Sequence, residues 1–239
     1  MKGSDMEINV LGPPTVRHGD VPSELGPRLR RLLAALIVAG GEVVSVDRLV
    51  DIVWDGRPPD GAETSLKSYV TRLRRALQPS RDDLIRFRQP GYQLLVDDSE
   101  LDSSLFERDL DEARRLARLA ESQQSLVLIE RALSRWYGDA YAGLAEEEWV
   151  RPEAVRLEDR RLEARQLQVE ALLAMGETEQ AIAECHRLIE IDPLSERPRD
   201  LLMRCLHAAG RQADAMRVVP EFRATLRDEV GLEPSPALV

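Results

Sequence analysis

Thr64, Lys67, Ser68, Thr71, Arg72 and Arg75 recur at spacings that place them on one side of a helix, at about 100° per residue. Cations and short hydroxyl side chains share that side, with no carboxylate among them. Such a set is suited to electrostatic contact and not to bond-making: Lys and Arg neutralise phosphates, and an arginine fork can address guanine O6 and N7. An Arg-rich helix face can equally be a surface left in water, so the surrounding elements have to decide.

The helix expected to carry these residues runs from Asp60 to Gln78. Asp60 followed three residues later by Glu63 fits a capping-box-like start, with acidic groups at the positive end of the helix dipole. Ala62, Leu66, Tyr69, Val70, Leu73 and Leu77 form the opposite, inward stripe.

Two helices precede it. Gly26-Pro27 opens one whose buried stripe is Leu29, Leu32, Leu33, Leu36 and Ile37, and Gly40-Gly41 stops it. Ser45 caps the next, with Val46, Leu49, Val50, Val53 and Trp54 toward the core. Alternation in Glu7–Val10, resumed at Thr15-Val16 after Gly12-Pro13-Pro14, predicts a short N-terminal sheet.

Beyond Pro79, Leu84–Arg88 alternates, with Ile85 and Phe87 on one face and Arg86 and Arg88 on the other. Gln89-Pro90-Gly91 turns the chain into a second strand through Tyr92, Leu94 and Val96. Sheet, three helices and hairpin in that order describe a winged helix-turn-helix. In such a fold the second helix crosses the nucleic-acid backbone and the third lies in the major groove. Arg88, at the hairpin tip, is placed to reach a minor groove or a phosphate.

Net charge of -10 argues against nucleic acid only when taken over the whole chain. Residues 1–97 carry 14 basic and 13 acidic side chains, residues 98–239 carry 19 and 30, and Gly61–Tyr92 alone carries 7 against 3. The acidity belongs to the second half, and a local basic patch is what phosphate binding requires.

Asp97-Asp98-Ser99 reads as a boundary between a domain at 6–97 and an all-helical one at 98–239. Leu105, Leu110, Ala113, Leu116 and Ala117 form one stripe, and Leu126, Ile129, Leu133 and Trp136 another. A loop at Gly138–Gly143 leads through Glu146-Glu147-Glu148-Trp149 to a long helix containing Leu157, Leu162, Leu167 and Leu172. Leu172, Gly176, Ala181 and Leu188 then recur 34 residues later as Leu206, Gly210, Ala215 and Phe222, which is the tetratricopeptide period. Two repeats fall short of the roughly three an independent stack needs, so the earlier helices must complete it.

Catalytic signatures are missing. Lysine occurs only at positions 2 and 67, which excludes a phosphate-cradling GxxxxGK loop, and no GxGxxG, HExxH or GxSxG is present. None of His18, His186 and His207 lies near a nucleophile with an orienting carboxylate, so no enzyme and no cofactor are expected. Cys185, His186, Cys205 and His207 have the types for zinc, but helical neighbours point about 100° apart, so packed thiols and surface histidines are expected instead. No apolar run spans a bilayer and no signal peptide is seen, so the chain reads as cytoplasmic, with Met1–Asp5 a dispensable leader.

Several long motifs in order make the chain resemble the Streptomyces antibiotic regulatory proteins, which join an OmpR-type DNA-binding domain to a bacterial transcriptional activation domain. They are Ile8–Pro13, Val46–Val50 with Val53-Trp54, Thr64–Leu77, Pro90-Gly91-Tyr92, Ala209–Ala215 and Glu229–Pro236. The resemblance implies an activator of secondary-metabolite gene clusters that binds direct repeats in promoter DNA as a dimer or as side-by-side protomers. It implies that Lys67, Ser68, Thr71, Arg72 and Arg75 read or clasp the major groove and that Arg88 enters the minor groove. Thr64, Tyr69, Arg74 and Arg86 are then backbone contacts, with packing in the core a competing role for Tyr69.

The loop from Trp54 through Asp55, Gly56, Arg57, Pro58, Pro59 and Asp60 corresponds to the one that faces the principal sigma factor and the RNA polymerase α-subunit. Larger family members add ATPase and sensor regions, and the resemblance leaves open whether the chain stands alone or is the N-terminal part of such a regulator. Two other readings use the same residues. A repressor needs identical DNA contacts, and a repeat-based adaptor needs the helical half but has no use for Lys67, Arg72, Arg75 and Arg88 together.

Overall fold

The computed structural model describes residues 6–19, 21–23, 25–77, 84–236 and 238. The leader at 1–5, Gln78 and Pro79 lie outside them. Strands Met6–Asn9 (β1), Thr15–His18 (β2) and Val21–Ser23 (β3) form an antiparallel sheet in that order, with Ile8 opposite Val16, both fully buried. Pro27–Val38 (α1) follows, its proline in the first turn where no N–H is needed. It ends on Gly40 and Gly41, whose φ values of +56° and +85° favour glycine.

A two-residue strand, Val44–Ser45 (β4), leads into Val46–Trp54 (α2), and the Ser45 hydroxyl accepts the Arg48 N–H at 3.2 Å as an N-cap. Ala62–Leu77 (α3) comes next, then Ile85–Arg88 (β5) and Gly91–Leu94 (β6). The second sheet has the order β4-β6-β5. Gly91 lies so close under β4 that a Cβ there would meet the Val44 carbonyl oxygen at 1.7 Å, so only glycine lets the hairpin join.

Apolar side chains from both sheets and from α1, α2 and α3 meet in one core that includes Ile8, Leu33, Leu49, Leu66, Leu73, Ile85 and Tyr92. His18 of β2 lies 2.7 Å from the Ala76 carbonyl, which ties the last turn of α3 to the first sheet.

Several sequence expectations are corrected. α3 begins at Ala62, so Asp60 stands two residues ahead of it and does not cap it; Gly61, at φ +74°, takes the turn into the helix. In α2, Ile52 is buried while Val46 and Val50 are half-buried. Phe87 faces the same side as Ile85 and lies opposite Tyr92, yet it is 57% exposed, because the hairpin tip runs past the core. β3 and β4, of three and two residues, are too short to show an alternation in the sequence.

The chain divides into two compact units, Met1–Phe106 with Arg135–Glu158, and Glu107–Ser134 with Asp159–Val239. Asp102–Arg118 (α4) and Arg151–Ala174 (α6) each contribute to both. This division differs from the sequence boundary at residue 97, because residues 98–106 and 135–158 pack with the winged helix.

Their attachment is specific. The Asp102 carboxylate accepts the Val10 N–H at 2.9 and 3.0 Å and the Leu11 N–H at 3.0 Å, while the N–H groups of Tyr137 and Tyr141 donate to the Leu11 and Val10 carbonyls at 3.1 and 2.8 Å. Tyr137 also lies against Gly12, where a Cβ would meet its ring at 2.5 Å. Burial pushes the Asp102 carboxyl up to about 7 against the pull of those backbone donors.

The second unit is built of helix pairs: α4 with Ser122–Leu133 (α5), α6 with Thr178–Ile191 (α7), and Arg197–Ala208 (α8) with Gln212–Val230 (α9). The last two pairs are the 34-residue repeat, and both turn the same way. Gly176 and Gly210 have φ values of +80° and +75°, with Glu177 N–H to Leu172 O at 2.9 Å and Arg211 N–H to Leu206 O at 2.8 Å. The first pair repeats this turn with other residues: Ala120 has φ +60°, Glu121 N–H donates to Leu116 O at 3.0 Å, and buried Ser125 takes the close-approach position held by Ala181. Ser125 can do so because its hydroxyl donates to the Ala113 carbonyl at 2.9 Å.

In the α4 stripe Phe106 is fully buried, whereas Leu105 is only half-buried. Cys185 and Cys205 are buried free thiols, while His186 and His207 are exposed, so the four do not converge. Among the described residues, no helix is long and apolar enough to cross a membrane.

Candidate nucleic-acid interface

The outward side of α3 emerges as its spacing dictates. Thr64, Lys67, Ser68, Thr71, Arg72 and Arg75 are all exposed, while Ala62, Leu66, Val70, Leu73 and Leu77 are buried on the other side. Among the described residues no carboxylate forms an ion pair with Lys67, Arg72, Arg75 or Arg88. The Thr71 hydroxyl donates to the Lys67 carbonyl at 2.9 Å, which fixes its rotamer along the helix.

Arg86 and Arg88 are exposed on β5, with Arg88 in register with Gly91 at the hairpin end. The exposed Phe87 ring projects from the other face of that strand, edge-on to Tyr92 at 5.4 Å. Helix face and wing thus present cations, hydroxyls and one apolar ring, the groups that a grooved polyanion with apolar sugar and base edges can engage.

Two of the anticipated contacts are placed differently. Arg74 is half-buried, and its guanidinium donates to the Ile85 carbonyl at 2.6 and 3.1 Å, so it holds the wing strand to α3. Tyr69 is half-buried, edge-on to Trp54 with centroids 5.6 Å apart. Its hydroxyl accepts from Arg28 at 3.2 Å, and the Arg72 guanidinium lies 5.8 Å over its ring. Packing and a polar contact therefore both apply to Tyr69.

Arg28 escaped the sequence reading. It is an exposed first-turn residue of α1 whose partner lies 41 residues away, and no local pattern signals that contact.

The loop after α2 begins at Asp55, with a left-handed φ of +54°, and Asp55–Asp60 is exposed throughout. Trp54 is not part of that display: it is 8% exposed, packed under Tyr69 and Arg28. Arg31 anchors the loop's first residue, reaching Asp55 at 3.4 Å, the Ile52 carbonyl at 2.7 Å and the carboxylate of Glu147.

A helix-turn-helix with a β-wing and a third helix whose outward cations have no ion-pair partner among the described residues, followed by tetratricopeptide-like helix pairs, defines a winged-helix transcriptional regulator. Comparison with known proteins agrees at both ends. Residues 20–94 match the family described as transcriptional regulatory protein, C terminal, and residues 101–239 match the bacterial transcriptional activator domain. The chain is 33% identical over 98% of its length to the regulatory protein AfsR of Streptomyces coelicolor, covering 23% of that protein. It is 31% identical over 98% of its length to the regulatory protein DnrI of Streptomyces peucetius, covering 89% of it.

Among solved structures, Mycobacterium tuberculosis EmbR in complex with a low-affinity phosphopeptide is similar with a TM-score of 0.90 and 28% identity, over 98% of this chain and 63% of that one. The chain belongs to the Streptomyces antibiotic regulatory protein family of transcriptional regulators, which is not a class of enzymes. It spans about a quarter of the length of AfsR, the longest of these relatives by that measure.

Proposed function

We propose that this chain activates transcription by binding direct repeats in promoter DNA, laying α3 in the major groove and the wing beside it. The observation that carries the reading is the outward side of α3: exposed cations and hydroxyls, joined by Arg88, with no ion-pairing carboxylate among the described residues. Lys67, Ser68, Thr71 and Arg75 face the base edges in this reading, and Arg88 the minor groove. Thr64 and Arg86 engage the backbone.

The exposed Asp55–Asp60 loop is the surface for the principal sigma factor and the polymerase α-subunit, and protomers lie side by side on the repeat. Residues 6–97 then form the DNA-binding part and 98–239 the activation part, in a cytoplasmic regulator of secondary-metabolite genes. A second reading, an adaptor that binds a protein through its helical repeats, is favoured by the third helix pair, since three stacked pairs suffice for such a surface.

The test is titration of a direct-repeat duplex and a scrambled duplex at several salt concentrations. Repeat-selective binding that weakens steeply with salt is expected. Absence of binding to either duplex at low salt would move the assignment to the adaptor, and binding that excludes polymerase would make the chain a repressor.

A further inference from the structure

Between the first turn of α1 and the flank of α3 lies an open cavity of about 420 Å³, lined by Gly26, Pro27, Arg28, Leu29, Tyr69 and Arg72. Among the described residues, two arginines and no carboxylate line it. Their placement is built by aromatic packing. Trp54 and Tyr69 meet edge-on, Arg28 lies 5.7 Å over Trp54 and donates to the Tyr69 hydroxyl at 3.2 Å, and Arg72 lies 5.8 Å over the Tyr69 ring.

Each guanidinium keeps most of its N–H donors unengaged by the described residues, and α1 places no acidic side chain in its first turn. Two like charges held at one cavity, with no counter-charge among the described residues that line it, favour an anion that accepts from both. A tetrahedral phosphate, with several acceptor oxygens, fits guanidinium forks in that way.

We propose that this cavity is a phosphate clamp, in which Arg28 and Arg72 hold one backbone phosphate of the duplex on which α3 lies, with Tyr69 setting their spacing. The proposal rests on the DNA-binding reading and deepens it. Arg72 then positions the helix and does not read bases, although it shares the outward side with residues that do. Arg28, from a different helix, fixes the angle at which α3 enters the groove.

The test compares wild type with Arg28→Gln on the repeat and scrambled duplexes across salt. It adds single methylphosphonate substitutions along the repeat and an arm with inorganic phosphate at constant ionic strength. Arg28→Gln is expected to weaken both duplexes about tenfold, as loss of one charge-assisted contact does. The salt slope becomes shallower by about 0.9, and the ratio of repeat to scrambled binding stays unchanged. One methylphosphonate position costs the wild type more affinity than it costs Arg28→Gln, in which Arg72 alone still engages that phosphate.

Arg28 is exposed, so an unchanged melting curve is expected to accompany these losses. Selective wild-type binding with an unaltered Arg28→Gln slope overturns the clamp and leaves the DNA reading intact. Failure of the wild type on every duplex removes both. Inorganic phosphate that raises the wild-type melting temperature but not that of Arg28→Gln, with duplex binding equal in the two, would make the cavity a small-anion pocket and overturn the assignment to DNA.

Discussion

The outward cations of α3 and the wing tip and those of the helical unit are treated in opposite ways. Lys67, Arg72, Arg75 and Arg88 carry no ionic partner among the described residues. In the helical unit Arg160 contacts Asp111 at 2.7 Å and Glu163 at 3.0 Å, Arg165 contacts Glu184 at 3.0 Å, and Arg223 and Arg227 share Glu233 at 2.9 and 2.6 Å. Arg114, Arg197 and Arg217 are likewise bonded to Glu163, Glu170 and Asp214.

Buried carboxylates show the same division. Glu184 lies between Arg165 and Arg187, whereas among the described residues Asp102 of the winged unit has only backbone N–H groups and the Tyr137 hydroxyl. These arginines of the helical unit are internal ties, as Arg31 and Arg74 are in the winged unit, whereas those on the outward side of α3 and at the wing tip are held out for something else. Composition alone does not tell the two apart.

The largest effect expected is on Asp102. Its carboxyl, pushed by burial to about 7 from an ordinary 3.8, holds its proton in the folded state across a range where the unfolded chain has lost it. The stability this confers is complete below about pH 4 and is lost as pH rises through about 7, on the order of 4 kcal/mol across the window. Urea unfolding from pH 4 to pH 8 measures it, and Asp102→Asn should flatten the trend. A trend that survives in Asp102→Asn would assign it to another group.

Glu184 tests the other side of the comparison. It is 4% exposed, and Glu184→Gln leaves Arg165, itself only a quarter exposed, without its counter-charge. A loss of about 2 to 3 kcal/mol is expected, just under the range for breaking a fully buried pair, because both arginines retain some water. Chemical denaturation reads it. A loss under about 0.5 kcal/mol would show that these ties are surface pairs of little weight.

Legibility in the sequence followed the distance over which each feature is encoded. The stripe of α3, the glycine stop of α1 and the Ser45 cap depend on residues within a few positions, so periodicity and capping rules reach them. The repeat was visible where Gly176 and Gly210 supply the left-handed turn; its first copy was hidden because Ala120 takes that conformation and Ser125 takes the small-residue place through its own hydrogen bond. Phe87 showed its face but not its exposure, which depends on where the core ends beneath the hairpin.

At the candidate interface the outward residues were legible as a group. What each does was not, because Arg74 turns to a strand that follows it and Arg28 reaches a tyrosine 41 residues on. The Asp102 contact with Val10 spans 92 residues, and nothing near Asp102 in the sequence announces it.

The smallest stability effect, and the sharpest use of the comparison, is Arg75→Ala. Arg75 is exposed and has no ionic partner among the described residues, so its removal should change unfolding free energy by less than about 0.5 kcal/mol. Its cost falls on recognition. As a base reader it should lose about 1 to 3 kcal/mol on the direct repeat and much less on a scrambled duplex, narrowing the ratio between them. Arg28→Gln, by contrast, should lower both together. A uniform loss for Arg75→Ala would make it another phosphate contact and leave Lys67, Ser68 and Thr71 as the readers. A drop in stability would mean that α3 depends on this side chain after all, and the contrast between held-out and tied arginines would fail at the residue where it is most exposed to test.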